Sequence, residues 1–240
     1  MNFFIVLFNR IINILKYPIA MLFALLTYEL LMMLVEVIEI IYNYKTFYKP
    51  LFIGMGVYFV LWFILFNNRQ GNWFLTIEHE FTHTLFALLT FHKIVDFKAT
   101  DNMGGHMQYS GVGGGNWLIT IAPYFFPTFS MFIVGLIYFS KSQYYPVLTM
   151  LLGYSIVYHI HSTYKETSSQ QPDIQEVGVP FALLFLPSAN IFSLITLLSF
   201  IPNDRIYFWR LSEHLSDYIS VHFIDLIEYF EKLIMLRATL

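Results

Sequence analysis

The chain has 240 residues, of which 57% are hydrophobic and only 12% are Asp, Glu, Lys or Arg, and its mean hydropathy is +0.60. Soluble domains carry about 25% charged residues, so this composition excludes an ordinary soluble domain and predicts a multi-pass integral membrane protein in the lipid bilayer. A formal net charge of −3 without a basic cluster argues against binding of nucleic acid. Because there is no cysteine, any metal must be held by histidine and carboxylate side chains.

The apolar runs predict an all-α, polytopic membrane protein with about six transmembrane helices in one membrane-embedded domain, residues 1–240. A helix rises 1.5 Å per residue, so about 20 apolar residues cross the roughly 30 Å of hydrocarbon. We expect the helices, in chain order, at about 18–42, 49–66, 73–91, 117–139, 144–161 and 174–200. Pro123 and Pro127 should kink the fourth helix.

Amphipathic segments precede and follow these spans. Residues 1–16 combine an apolar run with Asn9, Arg10 and Lys16, which predicts a short helix at the membrane interface. A signal peptide is the alternative, but no small-residue cleavage site follows. In residues 205–240 the apolar side chains recur at helical spacing, with charges mostly opposite. This pattern predicts a second interfacial helix or a packing face for a partner subunit.

The third predicted helix contains the pattern H-E-x-x-H within the stretch IEHEFTHTLFALLT, residues 77–90. His79 and His83 are four apart, so both imidazoles project from one face of a helix and can share a metal ion, for which zinc is the expected choice. The carboxylate of Glu80 can take a proton from water at the open metal position. The alternative is a buried histidine pair satisfied by neighbouring side chains. Three ionisable groups within five residues are costly in hydrocarbon, which favours the metal site.

Other acidic residues accompany this helix. Glu29, Glu36 and Glu39 lie near one face of the first predicted span, which should turn toward protein or water rather than lipid. Glu78 faces about 100° away from His79, so we interpret it as a supporting or neutral group and not as a metal ligand.

Residues 93–115, KIVDFKATDNMGGHMQYSGVGGG, form the longest predicted non-helical stretch. Runs prone to β-structure flank Met103-Gly104-Gly105, which predicts a β-hairpin directly after the H-E-x-x-H helix. An edge strand there could pair with an extended peptide by β-augmentation. An ordinary connecting loop is the alternative. Counting the predicted crossings places this stretch and the polar segment 162–172 on the same side of the membrane.

Residues 73–200 resemble the site-2 protease group of intramembrane zinc metalloproteases. The resemblance rests on HEFTHTLFALLT, the glycine-containing hairpin, the apolar stretch IAPYFFP and a polar turn with an aspartate before a further span. It implies a catalytic core at about 73–200 in which His79 and His83 bind zinc and Glu80 is the general base. It also implies an aspartate as third ligand, and Asp173 is the residue at that position in this chain.

The sequence around Asp173 departs from the family pattern. Most of the family carries a glycine after this aspartate, as N-P-D-G or L-D-G, whereas this chain has an isoleucine there. A carboxylate at the start of a helix is also explained as a simple N-cap. His106, His159 and His161 are chemically adequate alternatives as the third ligand. Since His159 and His161 are two apart, at most one of them can face the metal.

The expected function is a zinc-dependent endopeptidase that hydrolyses peptide bonds of membrane-protein substrates within or near the bilayer. The alternative is a transporter of zinc or another cation, in which Glu29 would join the His/Glu cluster as an ion site. Thr82 stands where the transporter pattern H-E-x-P-H has proline. The extended protease pattern H-E-x-x-H-x-x-G-x-x-H is excluded because Phe86 and Leu89 stand where its glycine and third histidine belong.

Overall fold

A computed structural model describes residues 2–66, 71–100, 104–201 and Glu213 of the chain. This part is mostly helical, with one small sheet. Its α-helices are, in chain order, α1 (Asn2–Ile14), α2 (Lys16–Leu25), α3 (Thr27–Asn43), α4 (Lys49–Leu61), α5 (Gly71–Leu89), α6 (Trp117–Ile121), α7 (Thr128–Phe139), α8 (Tyr145–Glu166), α9 (Pro172–Val177) and α10 (Val179–Ser199). The strands are β1 (Ile94–Thr100) and β2 (Gly104–Tyr109).

The chain divides into two compact units. The first, Met1–Leu198, contains nearly all of the described helices and both strands. The second is Ser199–Leu240, of which the structure describes residues 199–201 and Glu213. The amphipathic segment predicted at 205–240 therefore lies outside the described residues except for Glu213.

Among the described residues, α10 is the one helix that is by itself long and apolar enough to cross a membrane. Two bent pairs would raise the number to three if each pair is one span: α1 with α2, bent by 41°, and Trp117–Tyr124 with α7, bent by 82°. The six predicted spans are therefore not confirmed. The segment predicted as the first span is instead divided at Leu26 between α2 and α3. The sequence did not predict this division, because an apolar run shows hydrophobicity but not where a helix ends.

The sharpest of these bends lies in the segment predicted to be kinked by proline. Here α6 passes through a 3₁₀ turn at Ala122–Tyr124, and α7 begins directly after Pro127. Proline lacks a backbone N–H and its ring collides with the preceding helical turn, so it ends or kinks a helix. The result is a turn of 82°, much sharper than a kinked but continuous span.

Helices α4 and α8 pack at backbone distance because glycines lie at their crossing. A Cβ atom added at Gly54 would collide with the carbonyl oxygen of Met150, and one added at Gly153 would collide with the carbonyl oxygen of Leu51. Small residues allow such close approach between helices in membranes. The crossing holds α8, which continues beyond its predicted end at about residue 161 to Glu166.

The structure contains the predicted hairpin rather than an ordinary connecting loop. Strands β1 and β2 are antiparallel, with Ile94 opposite Tyr109 and Lys98 opposite His106, and a register irregularity lies between Ile94 and Asp96. Both strands contact α5. The hairpin therefore lies beside the helix that carries the H-E-x-x-H pattern.

Helix α1 packs against the chain through polar as well as apolar side chains. Asn9 is buried, its Nδ2 atom lies 3.0 Å from Nε2 of His92, and its Oδ1 atom accepts a hydrogen bond of 2.8 Å from Nδ2 of Asn116. The indole N–H of Trp117 donates to the carbonyl of Ile12 at 2.7 Å. These contacts join the N-terminal helix to the end of α5 and to the start of α6.

Candidate metal centre

Helix α5 presents two imidazoles to one point. Nε2 of His79 lies 3.1 Å from Nε2 of His83 on the next turn of the helix. Oδ2 of Asp173 approaches both, at 3.1 Å from Nε2 of His79 and 3.3 Å from Nε2 of His83. One ligand atom from each of the three residues lies within 4.8 Å of the others, a spacing that could hold a metal ion.

Asp173 reaches this point from the first turn of α9. The N-cap residue of that helix is Gln171, so Asp173 is not the N-cap, and its carboxylate contacts the two histidines. The hydroxyl of Tyr124 donates to Oδ2 of Asp173 at 3.1 Å. Burial raises the pKa of Asp173, but the adjacent imidazoles outweigh burial and bring this pKa below its ordinary value.

No glycine is required directly after Asp173. The next residue, Ile174, is buried, as is Val177 in the same helix. The left-handed backbone position comes later, at Gly178, where φ is 90° and the chain passes from α9 to α10. The departure from the N-P-D-G pattern therefore leaves the carboxylate within reach of the histidines.

The Nδ1 atom of each imidazole, which does not belong to the cluster, also faces a polar atom. Nδ1 of His83 lies 2.8 Å from the carbonyl oxygen of Ile119, and Nδ1 of His79 lies 3.2 Å from Oε2 of Glu166. Residues that hold a histidine in this way orient its other nitrogen toward a metal. Sequence reasoning assigned no role to Glu166 or to Tyr124, although Tyr124 lies in the stretch IAPYFFP, because both side chains are brought to the site by tertiary packing.

Glu80 lines the same cleft as the three clustered residues. The cleft has a volume of about 580 Å³ and is lined by residues of α5, β2, α6 and α9, together with Glu166 and Gln171. Gly105 of β2 lies against the side chain of Glu80 so closely that an added Cβ would collide with the carboxylate. The H-E-x-x-H carboxylate is therefore enclosed between its own helix and the backbone of the hairpin.

The other proposed ligands lie elsewhere. His106 lines the cleft, but it does not belong to the cluster that could hold a metal, which among the described residues is formed by His79, His83 and Asp173. His159 is buried in α8, with Nε2 3.5 Å from Oγ1 of Thr163, and Nδ1 of His161 is 2.5 Å from the hydroxyl of Tyr58.

The acidic residues outside the cleft have different surroundings. Glu78 is buried, and the backbone N–H of Phe129, in the first turn of α7, donates to its Oε1 atom at 3.4 Å. Next to it, the hydroxyls of Thr82 and Thr128 are 2.5 Å apart. These contacts attach α5 to the start of α7. Glu29 belongs to α3 and lies outside the cluster of three residues that could hold a metal.

Residues 52–165 match the model of a family described as Peptidase M50B-like. The resemblance to the site-2 protease group is confirmed. Proteins of the M50B-like family are membrane-embedded metalloproteases, and the matched segment contains His79, Glu80 and His83. Glu166 and Asp173 follow the end of that segment. No match was found among curated proteins or among solved structures.

Proposed function

We propose that the protein is a zinc-dependent endopeptidase that hydrolyses peptide bonds of membrane-protein substrates within or near the bilayer. The observation that carries the proposal is the convergence of Nε2 of His79, Nε2 of His83 and Oδ2 of Asp173 beside Glu80 in one cleft. The match to the Peptidase M50B-like family supports the same class of reaction.

The donor set fits zinc. Two imidazole nitrogens and one carboxylate oxygen are the protein ligands of many catalytic zinc sites, which keep a further position open. When bound, zinc supplies a Lewis acid that polarises a carbonyl and makes water nucleophilic at neutral pH. The cleft at the cluster has room for a peptide segment.

Glu80 is proposed as the general base. It follows His79 directly in the chain, lines the cleft and is not a member of the three-residue cluster. Its carboxylate accepts a proton from the attacking water and returns it to the leaving amine. Contact with Gly105 limits the positions that the carboxylate can take, which favours one orientation toward the cleft.

The hairpin is proposed to hold the substrate in an extended form. The peptide carbonyls of a helical substrate are hydrogen-bonded within the helix, so the cleaved segment must first unwind. Strand β2 contributes Gly105 and Met107 to the cleft wall and pairs with β1 along one edge. Backbone groups at its other edge can pair with an extended segment of a substrate.

The experiment that tests the function combines metal analysis with proteolysis. Protein purified in detergent should contain about one zinc per chain, lose cleavage of candidate membrane proteins after treatment with a chelator, and regain it when zinc is restored. His83→Ala is the matched control, which should contain little zinc and show no cleavage. Cation flux into proteoliposomes without any peptide cleavage would instead favour the transporter.

A further inference from the structure

Glu166 lies behind His79, on the side of the ring that faces away from Asp173. Its Oε2 atom is 3.2 Å from Nδ1 of His79, whereas Nε2 of the same ring is 3.1 Å from Oδ2 of Asp173. The imidazole therefore stands between two carboxylates, one at each nitrogen. Only the carboxylate of Asp173 belongs to the cluster that could hold a metal.

The contact at Nδ1 of His83 shows how a hydrogen-bond acceptor at this nitrogen selects the tautomer of the ring. Its Nδ1 atom is 2.8 Å from the carbonyl oxygen of Ile119, and a carbonyl can only accept a hydrogen bond. The proton of a neutral His83 ring is therefore on Nδ1, which leaves the lone pair of Nε2 for the cluster. An ionised Glu166 likewise only accepts, so it selects the same tautomer for His79 and adds a negative charge behind the ring.

The position of Glu166 is otherwise unfavourable for an acid. It is the last residue of α8 and the one acidic residue of that helix. The C-terminal end of a helix carries a partial negative charge, which disfavours a carboxylate there. The side chain nevertheless turns toward α5 and is only 20% exposed. The helix that carries it, α8, packs closely against α4.

We propose that Glu166 is a positioning residue of the metal centre. It holds His79 in the tautomer and ring orientation that direct Nε2 toward Nε2 of His83 and Oδ2 of Asp173. This role rests on the proposed function, because it requires that the cluster binds a metal. Loss of such an outer partner typically weakens metal affinity about ten- to hundredfold.

The test measures zinc affinity by competition with a chromophoric chelator, for the full chain in detergent. Glu166→Ala should bind zinc about a hundredfold more weakly than the wild type, and Glu166→Gln, which keeps an acceptor but loses the charge, about tenfold more weakly. The matched control is Glu176→Gln, which removes the charge of another glutamate lining the cleft. Its zinc affinity should equal that of the wild type.

Cobalt provides a second readout, because its visible absorption reports the ligand geometry. We expect the cobalt spectrum of Glu166→Gln to differ from that of the wild type in band position or intensity, and that of Glu176→Gln to be unchanged. A glutamate that only stabilised the fold would lower the melting temperature without changing either zinc affinity or this spectrum. Glu166→Gln has nearly the shape of the original residue and decides the question if Glu166→Ala does not fold.

Three results would overturn the proposal. Wild-type zinc affinity and an unchanged cobalt spectrum in Glu166→Gln would show that the outer contact is dispensable. Equal losses of affinity in Glu166→Gln and Glu176→Gln would show a general effect of cleft charge. A wild-type protein that binds neither zinc nor cobalt would overturn the proposed function together with this role, which distinguishes that failure from the first two.

Discussion

Oδ2 of Asp173 lies 3.1 Å from Nε2 of His79, although 94 positions separate the two residues in the chain. Packing of α9 creates this contact: Ile174 and Val177 are buried in the same core cluster as Tyr124, whose hydroxyl donates to Asp173. The relationship matters because a histidine pair alone offers two ligands, and a catalytic zinc site needs a third.

Replacing Glu80 with Gln should abolish peptide hydrolysis and leave the zinc content unchanged. The amide cannot accept a proton from water, but Glu80 is not one of the three clustered residues. Zinc content and cleavage of a membrane-protein substrate are measured on the same preparation. Normal turnover by Glu80→Gln would refute the proposed role of Glu80.

Replacing Asp173 with Ala should remove most of the zinc and the activity. The clustered geometry predicts that alanine variants of His106, His159 and His161 keep their zinc, because those residues lie outside the cluster. Metal analysis of the four variants checks both expectations. Full zinc content in Asp173→Ala, together with loss of zinc in one histidine variant, would assign the third ligand to that histidine.

Replacing Gly105 with Ala should lower kcat by about a hundredfold without loss of zinc. The added Cβ would collide with the carboxylate of Glu80 and displace it, and displacements of about 1 Å at a catalytic group can cost that much. Gly111→Ala is the matched control, since a Cβ there meets open space. Equal kcat values for the two variants would show that contact with Gly105 does not position Glu80.

Replacing Asn9 with Ala should destabilise the protein by about 1–3 kcal/mol, because buried polar groups of His92 and Asn116 would lose their partner. The measurement is thermal unfolding in detergent. Asn43→Ala changes an exposed asparagine of α3 and should shift stability by less than about 0.5 kcal/mol. Similar melting temperatures for the two variants would argue against tight docking of α1.

Single cysteines at Gln108 and Ser168 should be labelled from the same side of the membrane. Both residues are exposed, and residues of β2 and of α9, near them in the chain, line the same cleft. A membrane-impermeant thiol reagent applied to sealed vesicles of known orientation checks this, and the chain has no native cysteine to interfere. Labelling from opposite sides would contradict a shared cleft mouth.

The local parts of the site could be predicted from sequence because their geometry depends on short spacings. Four residues on a helix bring His79 and His83 to one face, and glycines between β-prone runs predicted the hairpin that the structure contains. The number of spans could not be predicted in this way. The hydrophobicity of an apolar run is the same whether the run forms one helix or two. No proline or glycine lies at the boundary between α2 and α3 at Leu26 that would have indicated a helix end.

By itself, the sequence determined the amino-acid composition typical of a membrane protein, the H-E-x-x-H helix and the residue types that can bind a metal without cysteine. Only the tertiary structure decided which carboxylate lies beside the Nε2 atoms of the histidines and which groups contact their Nδ1 atoms. Asp173, Tyr124 and Glu166 lie on α9, on the turn after α6 and at the end of α8, and no local spacing relates these positions. Their distances depend on buried packing between helices, which a sequence pattern read along one chain does not contain.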